Sequence, residues 1–371
     1  MTASLDLLAG NPGADLLLAT AQLVDVASVS HDEQAITDAI ERRLRKVPWL
    51  QVDRVENNLV ARTAFGRSQR VILAGHTDTV AANGNEHARV EGDRLWGLGS
   101  ADMKSGLAVF LDLACAVSAP AVDLTFVFYA CEEVAAKFIG LAQLFRSRPD
   151  LLAGDVAILG EPTNAIIEAG CQGTLRGELT VSGERAHTAR PWMGRNAIHR
   201  LGPVLDRLHG YVERRPTIDG CTYREAIQAV RVEGGVAGNV VPDRVTLTIN
   251  HRFAPDRTID QAVEHVRDVI GTELFDDGAM FELTDAAAGA SPSLGHPLLA
   301  RLRAATGSDP QAKLGWTDVA FFAAHGIPAV NFGPGDPTIT HTAGEFVERS
   351  EIDAVSAALR SLIADPWGAG L

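Results

Sequence analysis

Three short apolar runs in this chain each lead straight into ionisable residues: "RVILAGH" at 70–76, "LTFVFYACEE" at 124–133 and "DVAILGE" at 155–161. Runs of this length without polar alternation are strands buried on both faces, and such a sheet needs helices on each side. The cover is in the sequence. Residues 14–47 repeat apolar positions at helical spacing, and "DMKSGLAVFLDLACAV" places Leu107, Phe110, Leu111, Ala114 and Cys115 on one helical face. Alternating strand and helix over the first 170 residues predicts an α/β fold with a sheet flanked by helices. In open α/β sheets, sites assemble at the carboxyl ends of the strands. The residues that close the three runs are therefore the first functional candidates.

From about residue 177 the pattern changes to alternating strands around two helical stretches. The order strand-helix-strand-strand-helix-strand fits a four-stranded ferredoxin-like α+β module. After "GASPSLGHP" the helix and strand mixture resumes. The expected organisation is a discontinuous larger domain, 1–176 and 293–371, with a smaller domain inserted at 177–292. A chain of 371 residues is long enough for two such units.

Lys and Arg number 33 against 47 Asp and Glu, a net charge of −14, which repels polyphosphate and anionic membrane surfaces. Neither nucleic acid nor membrane is expected as a partner. No stretch approaches eighteen unbroken apolar residues, and the first residues carry no basic segment ahead of their apolar ones. The four cysteines, Cys115, Cys131, Cys171 and Cys221, have no paired spacing and read as reduced thiols. The expectation is a cytoplasmic protein.

In "LAGHTDTV", His76 and Asp78 share a strand face, so a carboxylate could orient an imidazole that binds a metal. Taken alone, the pair reads first as strand-end residues bonded to loop backbone, ahead of the metal reading. Asp102 in "SADMKSG" is either a helix N-cap or a metal-ligating carboxylate, and its spacing does not choose. Glu132 and Glu133 are adjacent, so on a continuing strand they would point to opposite faces. Glu161 follows the third run, where Pro162 stops the strand, and His341 lies late in the Gly/Pro-rich "FGPGDPTITHTAGE". Two histidines and several carboxylates form a mixed nitrogen and oxygen set that suits zinc, with cobalt or manganese as looser competitors. The inventory is large enough for two ions sharing one bridging carboxylate.

"GHTDTV", "SADMKSG", "CEE", "GEPT" and the late His341, in this order, resemble the co-catalytic zinc deacylase and exopeptidase family. That family includes aminoacylase, acetylornithine deacetylase and glutamate carboxypeptidase. "GEPTNAIIEAGCQGTLRG", "DGCTYREAIQAVRVEGGVAGNVVPD" and "LGWTDVAFFAAHGIPAVNFGPGD" look most like its succinyl-diaminopimelate desuccinylase branch. The resemblance implies a zinc-exopeptidase-like mixed sheet with an inserted lid and dimerisation domain. It implies two zinc ions, one held by His76, Asp102 and Glu161, the other by Glu133, His341 and the shared Asp102. Asp78 would orient His76, Glu132 would be the general acid/base, and the Asp102–Met103 peptide would be cis. His187 in "GERAHTARP", by itself a surface histidine in a turn, would stabilise the tetrahedral intermediate, reaching the site on domain closure or from a dimer partner. Asn239, Arg252, Thr317, Thr174 and Arg190 would contact the substrate.

The implied reaction is hydrolysis of a small N-acyl amino acid. Removal of succinate from N-succinyl-L,L-2,6-diaminopimelate, a step toward lysine and cell-wall precursors, stands first. An acetylornithine deacetylase, a dipeptidase or aminoacylase, and an inactive binding homologue are the alternatives. Cys171 and Gln172 stand where many desuccinylases have a basic pair, and Trp316 where a small residue is common. A cysteine nucleophile at Cys131 is a separate reading, one that leaves the carboxylates unexplained; a buried strand-end filler is the expectation for that residue.

Overall fold

The computed structural model describes residues 15–364, the Ala136 side chain excepted; the first part of the N-terminal stretch lies outside them. The chain forms two compact units. The first comprises the residues up to Ala169, Ser293–Gln311 and those from Phe321 on; the second comprises Gly170–Pro292 and Ala312–Ala320. Two boundaries differ from the sequence expectation. The second unit begins at Gly170 because Gly173–Ser182 is already one of its long strands. Residues 312–320 join it because Trp316 Nε1 donates to the Ala288 carbonyl at 3.1 Å and Cys171 Sγ to the Thr317 carbonyl at 3.7 Å.

Counted from one edge, the first seven strands of the large sheet are Gln51–Val55, Asn58–Arg62, Asp123–Tyr129, Arg70–His76, Val156–Leu159, Ala329–Asn331 and Glu168–Ala169. The four from Asp123–Tyr129 to Ala329–Asn331 are mutually parallel, and the flanking pairs are antiparallel. The parallel strands are the apolar runs: Val71, Ile72, Leu73, Phe126, Val127, Ala157 and Ile158 are fully buried. Gln34–Leu44, Ser105–Ala116 and Gly140–Ser147 pack on this sheet, and Leu16–Val24 and Arg349–Ala364 pack in turn against Ser105–Ala116. Ser105–Ala116 approaches the strand ends so closely that a Cβ on Gly75 would sit 2.7 Å from Leu107 Cδ2, and one on Gly106 2.4 Å from the Gly160 carbonyl oxygen. Glycine at 75 and 106 is what lets this helix start directly over the carboxyl edge. Among the described residues no helix is long and apolar enough to cross a membrane.

The second unit is a four-stranded antiparallel sheet in the order Ala226–Gly234, Arg244–Phe253, Gly173–Ser182, Met280–Ala287. Alternation turns Leu175, Leu179, Val181, Val245, Leu247 and Ile249 to one face, where they pack with Val204 and Leu208 of Gly202–His209 and Val266 and Ile270 of Ile259–Ile270. The latter helix starts with a capping box, in which Thr258 Oγ1 accepts from the Gln261 N–H at 3.2 Å. This is the ferredoxin-like order that the alternation predicts.

At the end of Arg244–Phe253, His251 is fully buried. Burial, with smaller opposing contributions from the Ala226 carbonyl and Glu225, lowers its pKa from 6.5 to about 4; His265 and Arg257 also face it and push in the same direction. The unfolded chain therefore takes up a proton near pH 6.5, and the folded one near 4. Stability should be complete above about pH 6.5 and fall by about 3 kcal/mol as the pH drops through 4. Urea unfolding followed between pH 7.5 and 4 checks this, and a folded His251→Gln variant should show a correspondingly flatter profile over that window.

Candidate metal centre

His76 ends its strand, and its Nδ1 lies 3.0 Å from the Asp78 carbonyl oxygen, so Nδ1 donates there and Nε2 keeps its lone pair. That lone pair faces Asp102 Oδ1 at 3.1 Å. Two acceptors cannot meet at this distance without a cation or a proton between them. The other Asp102 oxygen, Oδ2, is 3.5 Å from His341 Nε2, which in turn is 2.7 Å from Glu133 Oε1. Ligand atoms of His76, Asp102 and Glu161 lie within 4.8 Å of one another, and so do those of Asp102, Glu133 and His341. The sequence-predicted ligands thus gather into two triads that share Asp102. All belong to the first unit.

Asp102 does not cap the following helix: Lys104 holds the cap position, and no side chain bonds the helix start. The Asp102–Met103 peptide is cis. Glu132 and Glu133 do not lie on a strand. Asp123–Tyr129 ends before them, and Cys131 has φ +61°, which turns the chain out of extended geometry. Instead of opposing one another, both carboxylates come within 4.8 Å of the His76 ligand atom and of each other. The strand-alternation expectation fails because the strand stops three residues short of Glu132.

The field at this place is strongly negative. Burial would lower the pKa of His76, but hydrogen bonds and charge from Asp102 and Asp78 hold it well above the ordinary value. Asp102 and Glu133 raise His341 to about 10. Against the burial that would raise it, His341 and His76 hold the Asp102 carboxyl far below its usual range. Imidazoles that would otherwise be neutral are drawn into carrying charge, so the donor set fits divalent cations with nitrogen and oxygen preference. Cys131 is different. Burial and the Glu33 carboxylate, whose Oε1 accepts from Sγ at 3.1 Å, raise its thiol to about 12. A protonated, buried thiol is no nucleophile, which disposes of the cysteine reading.

Residues 72–365 match Peptidase family M20/M25/M40. The chain belongs to that family. A Mycobacterium tuberculosis protein provisionally named a succinyl-diaminopimelate desuccinylase is 54% identical over 344 residues, covering 92% of this chain and 96% of that one. A Corynebacterium glutamicum succinyl-diaminopimelate desuccinylase is 44% identical over 364 residues, covering 95% and 98%. Among solved structures, a tripeptidase from Staphylococcus aureus superposes with a TM-score of 0.77 at 21% identity, covering 95% of this chain and 98% of that one. A dinuclear metal-binding M20 peptidase from Bacillus subtilis gives 0.69 at 17%, covering 94% and 96%.

The remaining candidates of this M20 chain lie in the second unit. Thr174 and Arg252 are directly opposite on neighbouring strands. Arg252 is half-buried with no acidic partner among the described residues, and burial, with Arg176 nearby, lowers its pKa. His187 and Asn239 come from adjoining loops: His187 bridges Val240, and the Thr188 N–H donates to the Asn239 carbonyl at 3.0 Å. Arg190 follows in the same exposed turn, its N–H bonded to the His187 carbonyl at 2.8 Å. Thr317 is buried beside Cys171. Gln172 is also buried, its Nε2 donating to the Arg224 carbonyl at 2.8 Å, so it serves the fold of this unit.

Sequence reading missed two supports of the centre. Glu345 Oε1 accepts the N–H groups of Ala101 and Asp102 at 3.0 and 3.1 Å, fixing the backbone of the shared ligand. The only signal was its place four residues after His341. Ser30 donates to Asp78 Oδ2 at 2.7 Å from a loop that carries no motif. Asp78 itself does more than face His76. Its Oδ1 is 3.5 Å from Nδ1, farther than its own carbonyl, while Oδ1 and Oδ2 accept the N–H groups of Glu132 and Glu133 at 3.0 and 3.1 Å. Asp78→Asn would turn an amide NH2 toward one of these donors. Zinc affinity, measured by chelator competition, should fall about 10–100-fold; unchanged affinity would show that this carboxylate does not govern the centre.

Proposed function

We propose that this M20 chain is a metal-dependent amide hydrolase that removes the succinyl group from N-succinyl-L,L-2,6-diaminopimelate, giving succinate and L,L-diaminopimelate. The observation that carries the reading is the pair of ligand triads joined at Asp102, in a chain that is 44% identical along nearly its whole length to a desuccinylase. The proposed cofactor is two zinc ions, which cobalt or manganese could replace. His76, Asp102 and Glu161 would hold one; Glu133, His341 and the same Asp102 would hold the other. When bound, such a pair supplies Lewis acidity that acidifies water and polarises an amide carbonyl.

Glu132 would then take a proton from the attacking water on its carboxylate and pass it to the nitrogen of the leaving amine. Asp78 would keep Glu132 and Glu133 in place through their backbone N–H groups. His187 Nδ1 accepts the Ala189 N–H at 3.0 Å, which leaves the proton of the neutral ring on Nε2. A histidine in that tautomer is suited to donate to a developing oxyanion. Arg252, half-buried with no acidic partner among the described residues, would pair with a substrate carboxylate, and Thr174, Asn239, Arg190 and Thr317 would complete the substrate contacts.

The second unit would serve as lid and dimerisation domain. Its edge strand Ala226–Gly234 leaves Val230 and Val232 57% and 59% exposed, which supports pairing with a second copy of the chain. All four cysteines are free, in keeping with a cytoplasmic protein.

Steady-state hydrolysis of N-succinyl-L,L-diaminopimelate and N-acetylornithine, with zinc measured on the same preparation, tests the reading. The succinylated substrate should turn over faster, chelation should abolish turnover, and Glu132→Gln should lower kcat about 10²–10⁴-fold. Faster turnover of the acetylated compound would overturn the substrate assignment; an unimpaired Glu132→Gln enzyme would overturn the role of that residue.

A further inference from the structure

The second unit contains another group of metal-ligating side chains, and no part of the proposed reaction uses it. Glu225 immediately precedes strand Ala226–Gly234, His251 is on Arg244–Phe253, and His265 is on helix Ile259–Ile270. Each offers a ligand atom within 4.8 Å of the other two. Glu225 and His251 are both fully buried.

Their hydrogen bonds leave two inward valences open. Glu225 Oε1 is fully engaged: it accepts from Arg214 Nη2 at 2.9 Å, Arg257 Nε at 3.0 Å and the Ala254 N–H at 3.1 Å. Its Oε2 has no partner among the described residues. His251 Nδ1 donates to the Ala226 carbonyl at 3.1 Å, which fixes the lone pair on Nε2, and that nitrogen also has no partner among the described residues. Buried polar atoms are nearly always satisfied. Two acceptors, left open side by side and aimed at a third ligand, call for a cation.

We propose that Glu225, His251 and His265 form a structural metal site of the zinc class, contained within the second unit. Two imidazole nitrogens and one carboxylate oxygen are a zinc-type set. The surrounding contacts are those such a site needs: a carbonyl orients His251, two guanidinium groups and an N–H orient Glu225, and the Tyr211 hydroxyl lies 3.3 Å from His265 Nε2. Burial keeps both imidazoles in the neutral, ligating form at pH 7. A polar cleft of about 330 Å³ reaches His265 from solvent, its lining mixed in charge: Asp256, Glu264 and Asp268 with Arg214 and Arg257, the two arginines already engaged by the Glu225 carboxylate. The bound ion would tie the start of the edge strand and its neighbouring strand to the covering helix.

The test uses the full chain carrying His76→Ala and His341→Ala, which removes imidazole ligands from both triads of the first unit. After equilibration with zinc and gel filtration, this protein should retain about one zinc per chain, and adding His265→Gln should reduce that to near none. Zinc should also raise the unfolding temperature of the double variant and not that of the triple variant. His265 is only partly buried, so His265→Gln is the variant expected to fold; circular dichroism verifies it, and Glu225→Gln is the second variant. No zinc retained by the double variant, as expected if a water occupies the place, would overturn the proposal. Retention unaffected by either His265→Gln or Glu225→Gln would do so too. Hydrolytic activity is not read at any point, so failure here is separable from failure of the desuccinylase reading.

Discussion

Asp102 sets one carboxylate oxygen 3.1 Å from His76 and the other 3.5 Å from His341, and the other candidate ligands are arranged around that one group. A carboxylate shared in this way cannot be placed by its own side chain alone. It sits in the irregular turn Ser100–Lys104, between a short strand and a buried helix, where the backbone makes few regular hydrogen bonds. Glu345 supplies the missing acceptor for both Ala101 and Asp102. Burial raises the Glu345 carboxyl to about 7, so even this support is held at an electrostatic cost. The site concentrates acidic groups well beyond what its own residues neutralise, and that imbalance is the physical statement of a need for cations.

The parallel sheet makes the concentration geometrically possible. Four parallel strands end along one edge, so residues from positions 76, 132, 133 and 161 converge without any long loop having to fold into place. The Asp78 carboxylate then joins two of these strand ends directly, since its oxygens receive the N–H groups of Glu132 and Glu133. Rigid elements fix the start of each excursion, and charge-assisted hydrogen bonds fix the first residues beyond it. The centre is built where regular structure has just ended.

That boundary also divides what the sequence makes legible from what it does not. The buried strands are plain as unbroken apolar runs, and three of the candidate ligands, His76, Glu133 and Glu161, stand where such runs close. The inserted ferredoxin-like unit follows from the change to alternating patterns. Beyond the strand ends, periodicity carries no information. The turn at Cys131 brings Glu132 and Glu133 to the same place, whereas a continued strand would have opposed them. Glu345 and Ser30 act through backbone and carboxylate contacts that leave no spacing rule behind. The assignment of 312–320 to the second unit rests on the bonds of Trp316 and Thr317 to distant carbonyl and thiol groups, which local pattern cannot show.

Within the second unit, two neighbouring positions on one strand show opposite solutions to burying charge. His251 and Arg252 are adjacent, so their side chains leave opposite faces of the sheet. His251 looks into the interior, where burial keeps it neutral and Glu225 is held by two arginines on one oxygen only. Arg252 stays charged despite burial, beside Arg176 and without a carboxylate. A half-buried guanidinium without a counter-ion is unfavourable for the isolated chain, and the same holds for unsatisfied acceptors at His251 and Glu225. Neither arrangement helps the unit fold by itself. Each becomes favourable when a partner of the right sign comes from outside, an anion on the Arg252 face and a cation on the His251 face. On the proposed function and the proposed metal site, one strand would carry, back to back, the recognition of two ligands of opposite charge.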